Sequence, residues 1–333
     1  MVKRLILIFL VGLAVFLTAV SAQDTSQQFA QSLSGPTVNT KLLQDRRYMR
    51  VEGGANVYDA PNGNVVRSLN PGFVFLTTKR DKGGWSEINA GEYVRTKEMT
   101  NVNGHVSQFA GVFIPGGLPF PIGWALQSTW TVTAPGIEAV KNVGTRIKKY
   151  ERLNLYATAD VDGKRWYQVG PDQWVSQFLV GKVQPLTETP GGVDSNLWMG
   201  VDLYEQVLTV YEGTSPIFAT LISSGLARFQ TREGLFHIYY RAGREDMTWG
   251  EVGDDYYLLE EVPWTMFFDG PNALHGEYWH DGLGYRRSHG CVNLSITDAN
   301  WLFNKVAEYM GAGANPAATG PAVYIYSTGE YNR

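Results

Sequence analysis

The strongest apolar stretch stands at the start of the chain. After Met1, Val2, Lys3 and Arg4, residues 5–20 are almost all apolar, and Ser21 and Ala22 lead into a polar run from Gln23. A basic lead, an apolar core and small closing residues predict a secretory signal peptide over residues 1–22, cut after Ala22. A run of about sixteen residues is short for a bilayer span, which predicts no stable membrane insertion after cleavage. Residues 23–46 are rich in Gln, Ser and Thr and predict a flexible tether. From residue 47 short β-like runs alternate with turn residues such as Pro61, Asn62 and Gly63, or Gly83 and Gly84. The segment 185–194 is the clearest linker. Beyond it, residues 197–203, 207–211, 217–223, 231–238, 262–268 and 322–327 predict strands. Ser295 followed three residues later by Asp298 predicts a helix start. Leu302, Phe303, Val306, Ala307 and Met310 then share one helical face, and Gly311 closes it.

One spacing recurs in the first half. Trp85, Ile88, Tyr93 and Val94 have counterparts at the same intervals in Trp166, Val169, Trp174 and Val175. An apolar-Tyr pair precedes each set, Val57-Tyr58 and Leu155-Tyr156. Two hairpins with a Trp in the same place predict two related β modules, residues 47–103 and 104–184, the second with an inserted loop. They resemble bacterial SH3-like domains, which are small β-barrels. The alternative is one irregular β domain over about the same span. Phe109, Phe113, Phe120 and Trp124, set among Pro and Gly between the hairpins, read as packing groups, with stacking on sugar rings as the alternative.

Composition sharpens this picture. Aromatic residues at 13% and 37 glycines fit a mainly β chain with many turns. The formal charge is −4, and −6 once Lys3 and Arg4 leave with the signal peptide, so nothing points to nucleic acid. The single cysteine cannot form an internal disulfide, which leaves stability to apolar packing.

That cysteine, Cys291, lies in a stretch that holds three of the five histidines: His275, His280 and His289. A thiol reacts as thiolate, and a nearby imidazole is the usual way to generate one near neutral pH. Gly290 permits a tight bend, so amides of Gly290 and Cys291 could converge on an oxyanion. Two other readings compete: a lone cysteine as a small buried hydrophobe, and His275, His280, His289 and Cys291 as zinc ligands, though their spacing fits no common zinc framework. His280 reads as a loop-bonding group. His237 reads as a strand residue without chemistry.

His275-Gly276, eleven further residues, then Ser288-His289-Gly290-Cys291-Val292-Asn293 resembles the signature of the L,D-transpeptidase (YkuD-type) catalytic domain. Many members carry Arg where this chain has Asn293, and the Asn form also occurs. The resemblance implies a β-rich catalytic domain over residues 195–328 with one or two short helices, following the SH3-like modules. It implies Cys291 as nucleophile and His275 as base, oriented by the Gly276 carbonyl, with His289 supporting the thiolate or shaping the pocket. Ser288, Asn293, Arg286, Arg287 and Tyr278 are the implied substrate contacts. Donor and acceptor would be peptidoglycan stem peptides at the wall of a bacterium, outside the cytoplasm, with neither metal nor organic cofactor. Residues 241–262, rich in Gly, Asp and Tyr, would form a flap over the site. Hydrolysis through the same acyl-enzyme, or wall binding without catalysis, remain alternatives on sequence grounds.

Overall fold

The computed structural model describes residues 29–251, 255–311 and 320–331; the signal peptide reading falls outside them. The chain is mostly β, and two sheets position the site. The first runs in the order Gly234–His237, Ala322–Tyr326, Leu197–Asp202, Val207–Glu212, Ser215–Leu221, Val112–Phe113. Its centre is buried on both faces: every residue of Leu197–Asp202 is buried, which is why that run reads as continuously apolar rather than alternating. Leu197–Asp202 and Val207–Glu212 pair antiparallel, and Ala322–Tyr326 returns parallel to the former.

The second sheet joins the two halves of the chain. Its order is Val292–Leu294, Asn272–Gly276, Tyr257–Asp269, Phe73–Thr78, Arg47–Val51, Met99–Asn101, and Tyr240–Trp249 pairs with Tyr257–Asp269. Strands from the first predicted SH3-like module therefore extend the sheet that carries the Cys-His motif. The joint is a parallel ladder in which Tyr257, Leu258 and Leu259 face Phe73, Val74 and Phe75. Beyond it the strand bends, with Glu261 at φ 50° and Trp264 at φ 58°. The Glu260 side chain then takes over as acceptor for the Thr77 amide (2.9 Å).

The helix Ile296–Met310 packs beneath both sheets. Ser295 caps it by accepting from the Asp298 amide, and Gly311 ends it at φ 79°. Leu302, Val306 and Ala299 bury into the core formed with Leu274, Val292 and Leu294. Asp298 is itself buried and accepts hydrogen bonds from the Gly111 amide (3.0 Å) and the Thr220 hydroxyl (2.7 Å). It thereby ties the helix to the first sheet and to the segment between the two repeated hairpins.

The repeat in Trp spacing has a structural counterpart. Trp85–Asn89 with Glu92–Arg95, and Lys164–Gly170 with Gln173–Ser176, each form a hairpin followed by one 3₁₀ turn and one strand. The tether expected over residues 23–46 requires correction for its described part. Ala30 and Leu33 are buried against Phe109 and Trp124, and Leu43 against Tyr48 and Tyr278. These isolated apolar residues, scattered among polar ones, anchor the segment to the body. The linker also docks, since the Leu186 amide donates to the Tyr211 hydroxyl at 2.7 Å.

Candidate active site

Strand alternation sets the site. His275 lies in Asn272–Gly276, and Cys291 immediately precedes the parallel strand Val292–Leu294, with Leu274 opposite Val292 and His275 opposite Asn293. Leu274, Val292 and Leu294 point into the apolar core. The alternate positions, His275, Cys291 and Asn293, line a common cavity. The turn before Cys291 is tightly bonded: the Ser288 hydroxyl donates to the Cys291 carbonyl (2.5 Å) and accepts from the Gly290 amide (3.1 Å). The Thr231 hydroxyl donates to the Gly290 carbonyl at 2.9 Å. Gly290 sits at φ 121°, and a Cβ there would meet Asn272 Oδ1 at 2.4 Å. Only glycine fits.

The cavity encloses about 520 Å³. His275 is buried, and its Nδ1 lies 3.0 Å from the Gly276 carbonyl. A carbonyl only accepts, so Nδ1 carries the proton and Nε2 is left bare to receive one. Burial pulls the His275 pKa down to about 4, with the Gly276 carbonyl opposing. Burial pushes the Cys291 thiol up to about 11, opposed by the Ala273 amide. Both neutral forms are favoured, so the resting pair is thiol and imidazole rather than thiolate and imidazolium. The thiol is half-buried and donates weakly to the Pro271 carbonyl at 3.9 Å.

The other predicted residues divide. His289 lines the cavity, stacked on Phe229 with ring centroids 4.2 Å apart and flanked by Tyr257 and Trp249. Its Nε2 is buried without a partner among the described residues. Ser288 and Arg287 also line the cavity, and Arg287 Nε donates to the Gly282 carbonyl. Arg286 turns away, its guanidinium 4.3 Å from the Tyr331 ring centroid. Tyr278 lies outside the cavity too: it is fully buried, stacked on Tyr48 at 3.7 Å, with its hydroxyl donating to the Glu260 carbonyl. That leaves it no face for a substrate. The Gly290 amide is occupied by Ser288, so the oxyanion reading rests on the Cys291 amide. His237 pairs with Asp194 at 2.8 Å, away from the cavity.

Several lining residues carry no motif. Met247, Tyr256, Tyr257 and Leu259 come from the hairpin of Tyr240–Trp249 and Tyr257–Asp269, within the segment expected to form a flap. Arg50, Pro71, Gly72 and Phe73 come from the N-terminal half. The parallel ladder delivers them, and no local pattern announces it. Arg228 is held by Asp255 at 2.7 Å beside the same cavity. Among the described residues no group of three or more His, Cys, Asp and Glu side chains is placed to hold a metal ion.

Residues 198–325 match the family model of the YkuD L,D-transpeptidase catalytic domain. The chain carries a YkuD-type L,D-transpeptidase catalytic domain. Among curated relatives, it is 28% identical over 137 residues to YciB of Bacillus subtilis (strain 168), which carries the name of an L,D-transpeptidase; the match covers 37% of this chain and 67% of that one. Among solved structures, it resembles the L,D-transpeptidase LdtMt1 in complex with imipenem, at 21% identity and TM-score 0.35, covering 39% of this chain and 59% of that one. It also resembles an L,D-transpeptidase from Mycobacterium smegmatis, at 19% identity and TM-score 0.35, covering 51% and 80%. The similarity to these proteins is therefore partial.

Proposed function

We propose that this protein is a peptidoglycan L,D-transpeptidase that forms 3→3 cross-links through an acyl-enzyme on Cys291. The observation that carries this reading is a bare imidazole nitrogen on one strand and a thiol at the start of its parallel neighbour, lining one cavity inside a YkuD-type domain. The donor is a stem tetrapeptide. Cys291 Sγ attacks the carbonyl of its third residue as His275 Nε2 takes the thiol proton. The Cys291 amide faces the developing oxyanion, a contact worth about 3 kcal/mol in such sites. The C–N bond to the terminal D-alanine breaks, and the imidazolium returns its proton to the departing amine. An amine of a neighbouring stem then attacks the thioester, giving its proton to His275, and the released thiolate is reprotonated. The leader expected over residues 1–22 would suit export to the wall, where such stems are found.

Two alternatives use the same residues differently: water as acceptor gives a carboxypeptidase or endopeptidase, and no turnover gives a wall-binding protein. Incubation with defined tetrapeptide muropeptides, read by mass spectrometry, separates them. Cross-linked dimers support the proposal. Tripeptide alone, or unchanged donor, refutes it.

A further inference from the structure

Arg50 lies far from the Cys-His motif in sequence and outside residues 198–325, which match the family model. Strand pairing nevertheless carries it to the cavity. Directly opposite residues share a face of a sheet. Arg50 is opposite Phe75 across the antiparallel ladder, and Phe75 is opposite Leu259 across the parallel one. One row therefore runs Arg50, Phe75, Leu259 on the cavity side, and Phe73 with Tyr257 forms the next. The alternate residues Met49, Val51, Val74 and Leu76 point the other way, into an apolar cluster with Val57 and Ile88. Arg50 is left as the exposed residue of its strand. The wall that carries it is tightly closed. The Phe73 amide donates to the Tyr256 carbonyl at 3.0 Å, and a Cβ at Gly72 would meet that carbonyl at 2.6 Å.

Three guanidinium groups and one carboxylate line the cavity, so it favours an anion. Two of the cations are already engaged. Arg228 is paired with Asp255 at 2.7 Å, and Arg287 Nε donates to the Gly282 carbonyl at 3.2 Å. Arg50 has one ion-pair contact among the described residues, a loose 3.8 Å approach to Glu52, whose side chain is itself half-exposed. Such a contact contributes little in water. The planar fork of Arg50 is thus available to grip a carboxylate through two parallel N–H···O bonds.

We infer that Arg50 is a specificity-determining residue that binds a free carboxylate of the acyl-donor stem peptide, so that the N-terminal half of the chain takes part in selecting the donor. The inference rests on the function proposed above. A donor whose carboxylate is masked as an amide offers this guanidinium a poorer partner and is discriminated against.

Variants crossed with modified donors test this on the full chain. The rate of acyl-enzyme formation is followed against donor concentration for the parent, Arg50→Gln and Arg50→Lys. The donors are a tetrapeptide muropeptide and its derivatives with the free carboxylates converted one at a time to carboxamides. With the unmodified donor, Arg50→Gln should raise the half-saturating concentration about tenfold, the scale of one hydrogen bond to a charged group, and change the maximal rate less than about twofold. Arg50→Lys keeps the charge but not the fork and should recover only part of the loss. One amidated donor should be insensitive to Arg50→Gln. Unchanged half-saturation in Arg50→Gln, a loss confined to the maximal rate, or the same loss with every donor overturns the inference. Absence of any acyl-enzyme in the parent would instead remove the proposed function. Calorimetric binding of the tetrapeptide to Cys291→Ala, with and without Arg50→Gln, then still decides the role of Arg50: about tenfold weakening upholds it, and equal affinity or no binding to either overturns it.

Discussion

The neutral resting pair makes a specific prediction about pH. An ordinary histidine base, with a pKa near 6.5, would be about 9% unprotonated at pH 5.5, so acylation would fall about tenfold from its plateau. Burial pulls His275 to about 4. At pH 5.5 about 97% of the imidazole would then still be free to accept a proton. The second-order rate of acyl-enzyme formation, followed by mass spectrometry of the intact protein across pH 4–8, should therefore be nearly flat down to pH 5 and halve near pH 4. This rate reports the free enzyme, so ordering of the bound donor does not enter. An inflection near pH 6.5 would refute the reasoning, because it would mean that the imidazole is solvated or ion-paired with a thiolate. The same burial has a counterpart in stability. Between pH 6.5 and about 4 the unfolded chain binds a proton at His275 that the folded chain does not, so lowering the pH favours unfolding. The 2.5-unit gap corresponds to about 3 kcal/mol. His275→Gln removes that penalty, and its stability relative to the parent should rise by this amount between pH 7 and pH 4.

Other predictions concern the scaffold and can be checked separately. Asp298→Ala strands the buried Gly111 amide and the Thr220 hydroxyl, and urea denaturation should show a loss of about 2–4 kcal/mol; a loss below about 0.5 kcal/mol would contradict the role given to Asp298. Gly290→Ala places a Cβ against Asn272 at a φ that side chains avoid. It should lower acylation at least tenfold, with near-native far-UV circular dichroism. Tyr48→Ala removes a ring stacked on Tyr278 and a hydroxyl bonded to Arg244. It should cost about 3–5 kcal/mol, and slowed acylation would show that the N-terminal strands support the catalytic sheet.

Local features were legible in the sequence because local physics sets them. The helix starting after Ser295 and ending at Gly311 follows from its cap, its period and its stop. The Cys-His motif and the strands over 197–202 and 207–212 follow from chemistry and apolar runs. What stayed hidden depends on contacts distant along the chain. Nothing near Phe73 foretells a parallel ladder with Tyr257, yet that ladder brings Arg50 and Phe73 to the cavity. Residues 29–46 read as a tether because Ala30, Leu33 and Leu43 form no period; Ala30 and Leu33 are buried in one cluster and Leu43 in another. Tyr278 sits beside the motif in sequence, but the strand ends at Gly276 and its ring turns into the seam with Tyr48. Proximity in sequence misleads where a strand stops.

The central claim is that Cys291 is acylated by a stem peptide. Intact-protein mass spectrometry after mixing with a tetrapeptide donor, followed by peptide mapping, tests it directly. The account predicts an adduct equal to the donor less D-alanine, carried as a thioester on Cys291 and missing from Cys291→Ala. An adduct on another residue, or turnover retained by Cys291→Ala, would contradict it.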